Sequence, residues 1–304
     1  MKQYDKGPVF TLSIPSKWDN VTAEFLMRDI WQAPKKTVHQ LRMDKAIKLN
    51  GEPLNWTSPL KQGDELHFSI GEKESGLIPV RMPIQVLYED AHVIIVNKPA
   101  GMNTHPNDPL TEKDTLANGV AWHLRQKDEK VDVQHIHRLD RDTTGAVVFA
   151  KHALVKGILD RLLAERKIKR TYWAIVHGLM KQNKGTINKA IGRDRHHNTR
   201  RRVSPSGQPA ATHFQVLEEN KSKNLSLVQL VLDTGRTHQI RVHMSSITHP
   251  LAGDTLYGGK PIVKRQALHA KYIELPHPLT EEALSFEAPF LDEPPLFPAL
   301  FEIN

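Results

Sequence analysis

Residues 137–145, HRLDRDTTG, run directly into the short apolar segment 146–150, AVVFA, and this junction constrains the chain more than any other feature. Arg141, Asp142, Thr143, Thr144 and Gly145 are of types that bend backbone and hydrogen-bond locally. The segment therefore reads as a turn-rich loop at the head of a β-strand. One carboxylate, Asp140, lies between Arg138 and Arg141. Nearby positive charge favours the ionised carboxyl, the form that a nucleophile or a base requires. On this segment alone the plainer reading is a local cap or a surface ion pair.

The 304 residues exceed one small domain and suggest two. With 39% hydrophobic and 25% charged residues, the chain buries a core and is not a disordered tail. A formal charge of +8 calls for a polyanionic partner, either nucleic acid or a membrane surface. No apolar run approaches the roughly 18 residues that span a bilayer, and the first residues lack the apolar stretch of a signal peptide. Nucleic acid is thus the expected partner, with no membrane. The absence of cysteine excludes disulfides, thiol nucleophiles and cysteine-based zinc sites, and fits a reducing, cytoplasmic setting. Among the 17 histidines there is no HExxH pattern, and a deaminase-type zinc site needs cysteine. His135 and His137 share one face of a strand, where a structural or RNA-facing role is expected rather than a metal. No metal is expected.

Residues 1–71 read as a separate α+β module. Val21, Phe25, Leu26 and Ile30 recur at helical spacing, and Thr37 is placed to cap a second helix with Val38, Leu41 and Met43. Asn50-Gly51 signals a tight turn between short strands, and residues 60–66 lead through another turn into a strand over 65–70. Residues 72–83 mix Gly, Pro and charge as a linker does. The larger domain then spans 84–304. Strands are expected at 84–87, 93–96, 146–150 and 172–176, and a hairpin at 212–217 and 225–232. Helices are expected at 116–125, 152–166 and 237–247. Strands with interspersed helices make an α+β domain on a mixed or antiparallel sheet.

Four segments together resemble the RluA-type RNA pseudouridine synthases: HRLD at 137–140, VNKPAGMNTHP at 96–106, KRTYWAIVHG at 169–178 and TGRTHQIRVH at 234–243. The likeness continues through PLAGDTLYGG at 250–259 and LHAKYIELPHP at 268–278, covering roughly two-thirds of the chain. Several long motifs in order are far more specific than one short pattern. Thr144 stands where the family often has serine, and both carry a hydroxyl. The two helices and the turns of the first module look like the S4-type RNA-binding fold. The competing reading is a small cap packed on the enzyme.

The resemblance implies the pseudouridine-synthase fold, a bent sheet with a cleft across its middle. It implies isomerisation of uridine in structured RNA, with ribosomal RNA of the large subunit as first expectation and tRNA as the alternative. Nothing is oxidised or hydrolysed in that reaction, so no cofactor is expected, and the expected state is a monomer. Asp140 becomes the catalytic carboxylate, attacking ribose C1′ or removing a ribose proton. Arg236 is expected to pair with Asp140, because a guanidinium holds a carboxylate by two hydrogen bonds and a cation at a helix start needs an anionic partner, the alternative being a phosphate contact or a surface charge. Tyr172 is expected to stack on the uracil and assist proton movement at C5; from the strand alone the more usual reading is core. Arg138 is expected to fill the gap left by a flipped base or to bind phosphate, the alternative being a salt bridge to Asp142. Residues 193–202, RDRHHNTRRR, are read as a loop whose Arg193, Arg195, Arg200, Arg201 and Arg202 clamp RNA backbone rather than form a solvated charge run. Two other classes compete: a non-catalytic RNA-binding or ribosome-assembly protein, and a glycoside hydrolase. The latter requires a second cooperating carboxylate.

Overall fold

The computed structural model describes residues 9–70, 76–109, 111–127 and 133–301. The first module is a four-stranded antiparallel sheet, ordered β1 (Val9–Ser13), β4 (Glu65–Ser69), β2 (Ile47–Leu49), β3 (Glu52–Pro53). Asn50 and Gly51 turn β2 into β3 with φ of 49° and 86°, the left-handed pair that Asn-Gly supplies at low cost. The helix expected over 21–31 begins as α1 (Ala23–Phe25), capped by the Thr22 hydroxyl, and widens into a π turn at Leu26–Ile30. Helix α2 (Lys35–Met43) starts after Pro34, so Thr37 lies inside its first turn instead of capping it.

The expected linker carries no helix or strand over residues 76–83, and residues 72–75 lie outside the described residues. Beyond it is a ten-stranded mixed sheet. Its main path takes β10 (Lys184–Asn188), β13 (Ala211–Asn220), β14 (Leu225–Leu232) and β9 (Lys169–His177) to β15 (Leu268–Pro276). It continues through β8 (Thr144–Ala150) and β6 (Val93–Lys98) to β5 (Gln85–Glu89). Short strands β7 (Gln134–His135) and β16 (Ala283–Glu287) attach to β8 and β15. A separate two-stranded ribbon joins β11 (Ile191–Arg193) to β12 (Arg201–Val203), so the expected arginine-rich loop is the tip and flanks of a hairpin.

Strands β8 and β15 run parallel, with Gly145 opposite Ala270. Gly145 has φ of 114°, and a Cβ there would meet the Ala270 carbonyl oxygen at 2.3 Å. Only glycine permits that approach, and it closes the turn directly after Asp140.

All seven residues of β8 are buried, as a strand covered on both faces requires. Val147 and Phe149 point to a core shared with α3 (Leu116–Arg125) and α5 (Gln239–Ser246). Ala146, Val148 and Ala150 point to the opposite core, shared with α4 (Ala153–Ala164). That second core is continuous with the first module, through Leu12, Ile14, Trp31 and Phe68. Phe10 stacks on His152 with ring centroids 4.9 Å apart, and Trp31 Nε1 donates to the Leu279 carbonyl at 3.0 Å. The module is thus packed on the larger domain in the manner of a cap.

Candidate active site

The loop that carries Asp140 is clasped from two sides. Thr104 Oγ1 accepts from the Leu139 amide at 3.0 Å and donates to the Leu139 carbonyl at 3.1 Å. Lys98, fully buried at the end of β6, donates from Nζ to the carbonyls of Pro99, Met102 and Arg141, each at 2.8 Å. Burial pushes this amine down to about 7, while Asp142 and Asp140 act the other way. Three carbonyl acceptors match the three N–H donors of the ammonium form. On the other side, Arg265 is forked to Asp292 at 2.7 Å and reaches the Asp142 carbonyl at 3.2 Å and Thr144 Oγ1 at 3.0 Å. The segment 96–106 therefore serves the site by holding the Asp140 turn.

Asp140 does not pair with Arg236. Its Oδ2 accepts from Arg241 Nη1 at 3.1 Å. Arg236 instead donates from Nε to the Pro209 carbonyl at 3.1 Å, and its side chain is exposed at the cleft. The reason is geometric. Arg236 sits in the turn before α5, whereas Arg241 lies within the helix on its buried side. There it is gripped by Asp254, with Nε to Oδ2 at 2.7 Å and Nη2 to Oδ1 at 2.9 Å. The guanidinium also lies 4.9 Å from the Tyr257 ring centroid. Burial works against its charge, but the hydrogen bonds and charges of Asp254 and Asp140 outweigh burial and hold it above its ordinary value. The argument that a cation at a helix start requires an anionic partner applies to Arg241, which sits in the first turn of α5. That signal was present in the sequence, one helical turn beyond the arginine it was assigned to.

Asp140 opens onto a cleft of about 620 Å³, whose walls include Arg138, Arg170, Tyr172, Arg236 and His238. Tyr172 comes from β9, with its ring in the core and its edge on the cleft. Burial raises its phenol above the usual value, opposed by Arg170 and reinforced by Asp140, so the hydroxyl is protonated at neutral pH. No hydrogen-bond partner of that hydroxyl is found among the described residues. Trp173 faces the opposite side of the sheet, against Phe290 and Tyr272, as the strand period requires.

Arg138 is exposed on the cleft wall and makes no ion pair with Asp142 among the described residues. Arg170, two residues before Tyr172 on the same strand face, is buried, and its Nε lacks a hydrogen-bond partner. No carboxylate pairs with Arg138, Arg170 or Arg236 among the described residues. Three guanidinium groups without a carboxylate partner among the described residues, set around one carboxylate, suit a polyanion with a reactive sugar, and sequence reasoning had not singled out Arg170. His137 is structural: its Nε2 accepts from the Val148 amide at 3.3 Å. His135 stacks on His105 with centroids 3.9 Å apart.

The hairpin β11–β12 is not part of the cleft wall. It packs beside α5, with Arg193, Arg195 and Arg202 exposed. Arg200 is paired with Asp194 at 2.7 Å, and the Arg201 Nε is buried. Of the five arginines grouped by sequence, three are thus free to meet an external anion.

A family model described as RNA pseudouridylate synthase matches residues 92–246. The chain belongs to the RNA pseudouridylate synthase family. The matched span contains Asp140, Tyr172, Arg236 and Arg241, and ends before Asp254 and Tyr257. A second model, the RluD ribosomal pseudouridine synthase N-terminal domain, matches residues 10–66. The Bacillus subtilis protein named as uncharacterized RNA pseudouridine synthase YhcT is 46% identical over 287 residues, covering 94% of this chain and 95% of that protein. The ribosomal large subunit pseudouridine synthase D of Haemophilus influenzae is 38% identical over 237 residues, covering 73% of this chain and 72% of the relative. Among solved structures, human RNA pseudouridylate synthase domain containing 1 aligns with a TM-score of 0.57 at 28% identity, over 72% of this chain and 87% of that one. The pseudouridine-synthase fold and the S4-like module expected from the motifs are both present. The chain is an RNA pseudouridine synthase, an isomerase. Among the described residues no helix is long and apolar enough to cross a membrane.

Proposed function

We propose that this enzyme isomerises a uridine of large-subunit ribosomal RNA, with Asp140 as its catalytic carboxylate. The observation that carries this reading is the position of Asp140: at the floor of a cleft, hydrogen-bonded to Arg241, and ringed by the unpaired guanidinium groups of Arg138, Arg170 and Arg236. The relatives named for the large ribosomal subunit support the substrate class.

Conversion of uridine to pseudouridine breaks N1–C1′ and forms C5–C1′. One proton leaves C5 and one is gained at N1, so nothing is oxidised and no water is consumed. The protein must therefore supply a carboxylate at the ribose, a wall that retains the detached uracil, and anchors for a base drawn from its stack. In this reading Asp140 acts at the ribose, by attack on C1′ or by removal of a ribose proton. Arg241 and Asp254 fix the angle of that carboxylate. Tyr172 lies against the uracil with its protonated hydroxyl toward the cleft. Arg138, Arg170 and Arg236 hold the phosphates of the target strand, which reassigns Arg236 from counter-ion to RNA contact. Arg193, Arg195 and Arg202 extend the basic surface. The enzyme works as a monomer in the cytoplasm.

The test is a comparison of pseudouridines at single-nucleotide resolution in RNA from cells with and without the gene. Loss of one or a few positions in the large-subunit RNA, restored by the wild-type chain and not by Asp140→Asn, is the expected result. Loss confined to tRNA would overturn the substrate assignment.

A further inference from the structure

Tyr257 ends a short 3-10 turn, Thr255–Tyr257, three residues after Asp254. Its hydroxyl is 2.8 Å from the Arg201 amide nitrogen and 2.8 Å from His238 Nδ1. An amide N–H only donates, so the tyrosine oxygen accepts from Arg201. The hydroxyl has a single proton, and His238 Nδ1 is the acceptor in place for it. Assigning that proton to the bond with Nδ1 makes Nδ1 the acceptor and places the proton of the neutral imidazole on Nε2. That atom lies 3.9 Å from Asp140 Oδ2, on the cleft wall. His238 itself is in the left-handed region, with φ of 58°, at the head of α5. A residue other than glycine keeps that conformation at a cost, and here it aims the ring between Tyr257 and Asp140.

Tyr257 thus touches both groups that face the carboxylate. Its hydroxyl orients His238, and its ring lies against the Arg241 guanidinium. Its third contact is main chain of β12, the strand that also carries Arg202. A spacing of 3.9 Å is too long for a hydrogen bond, and a shift of about 1 Å would make it one.

We infer that Tyr257 and His238 form a positioning relay between the basic hairpin β11–β12 and Asp140, closing the His238 Nε2–H onto the carboxylate when the hairpin engages RNA backbone. The inference rests on the reading of Asp140 as the catalytic carboxylate. The bond forms only in the RNA-bound enzyme, so by linkage its free energy adds modestly to RNA affinity, while the carboxylate it orients acts in turnover. The charges facing His238 are Asp140, Arg241, Asp254 and Arg201; burial lowers its affinity for a second proton, which keeps the ring neutral.

The test uses the full-length enzyme and RNA from cells lacking the gene, grown with uridine tritiated at C5, so that each turnover releases tritium. Tyr257→Phe keeps the ring beside Arg241 and removes only the hydroxyl. Its single-turnover rate should fall about tenfold, with RNA affinity weakened by no more than a few-fold. In selectively ¹⁵N-histidine-labelled protein, the His238 resonances should change from the Nε2–H form to a mixture of tautomers. His238→Ala should lose a similar factor, and His238→Gln, which retains an N–H donor, should recover part of it. This second pair carries the test if Tyr257→Phe does not fold. Wild-type rates in Tyr257→Phe and His238→Ala, beside an inactive Asp140→Asn, would overturn the relay and leave the catalytic reading standing. Turnover by Asp140→Asn would overturn both.

Discussion

Arg241 stands between two carboxylates, donating to Asp140 at 3.1 Å from Nη1 and to Asp254 at 2.7 and 2.9 Å from Nε and Nη2. The two acids are unequal. The Asp254 side chain is 1% exposed and that of Asp140 is 18% exposed. Asp254 thus fixes the guanidinium in the interior, and the guanidinium presents its remaining edge to the acid that meets solvent and substrate. A planar fork is needed for this, because an ammonium group cannot bind two carboxylates along two fixed edges.

Arg241→Met should abolish turnover and lower stability by about 3–5 kcal/mol, since it leaves the buried Asp254 charge without its partner. Arg241→Lys should restore little of either. Arg236→Met, by contrast, should weaken RNA binding with stability within about 0.5 kcal/mol of wild type, as for an exposed side chain. Urea unfolding with single-turnover assays separates the two. Near-wild-type turnover in Arg241→Met would show that the pairing has no part in the chemistry.

Tyr172→Phe separates the ring from the hydroxyl. Turnover should fall at least about tenfold with RNA affinity nearly unchanged, because the buried ring remains in its core. Equal turnover would confine Tyr172 to packing or stacking.

The hairpin arginines should act through phosphate. Replacing Arg193, Arg195 and Arg202 by Gln should weaken RNA binding at every sequence tested. Each lost contact should reduce the slope of log affinity against log salt by about 0.7 to 0.9. Replacing Arg200 should do less, because Asp194 already holds it. An unchanged slope in the triple variant would mean that the hairpin does not touch RNA.

Acidification should loosen the junction between the first module and the larger domain. His92 and His152 are 3.1 Å apart beneath Phe10. Burial pushes them down to about 4 and about 3, with Asp90 opposing in both cases. The unfolded chain takes up these protons near pH 6.5, whereas the folded chain refuses them until the lower values. Stability therefore falls as the pH drops from 6.5 toward 4, by on the order of 2 kcal/mol per histidine at pH 5. Urea midpoints measured from pH 7 to 5 should show the decline, and His152→Gln should remove its share of it, while His92, His135, His137 and His269, also lowered by burial, keep theirs. A wild-type midpoint constant over that interval would contradict the burial of neutral histidine at the junction.

Much of the catalytic domain was legible in local pattern. The strands at β6, β8 and β9 and the β13–β14 hairpin are marked by β-branched runs and turn residues, and α3 by Thr115, whose amide and hydroxyl meet the Asn118 side chain at its start. Strand β1 had no such mark: VFTLS is short, and its partner β4 lies more than 50 residues away. The motifs singled out Asp140 and Tyr172, and both line the same cleft. The site was misread at Arg236, because pairing depends on which side of α5 faces the Asp140 loop, and that is set by Asp254, which reaches Arg241 only in the folded chain. Arg170 and the Tyr257 contacts were invisible for the same reason. A guanidinium without a partner and a hydroxyl shared between two chain segments are properties of packing.

The most direct test of the account is single-turnover kinetics of Asp140→Asn on RNA from cells lacking the gene. The substitution preserves shape and one acceptor oxygen and removes the charge. The account predicts no detectable pseudouridine from a folded variant that binds RNA within about tenfold of wild type, roughly 1.4 kcal/mol. Turnover by Asp140→Asn at a rate near that of wild type would contradict it.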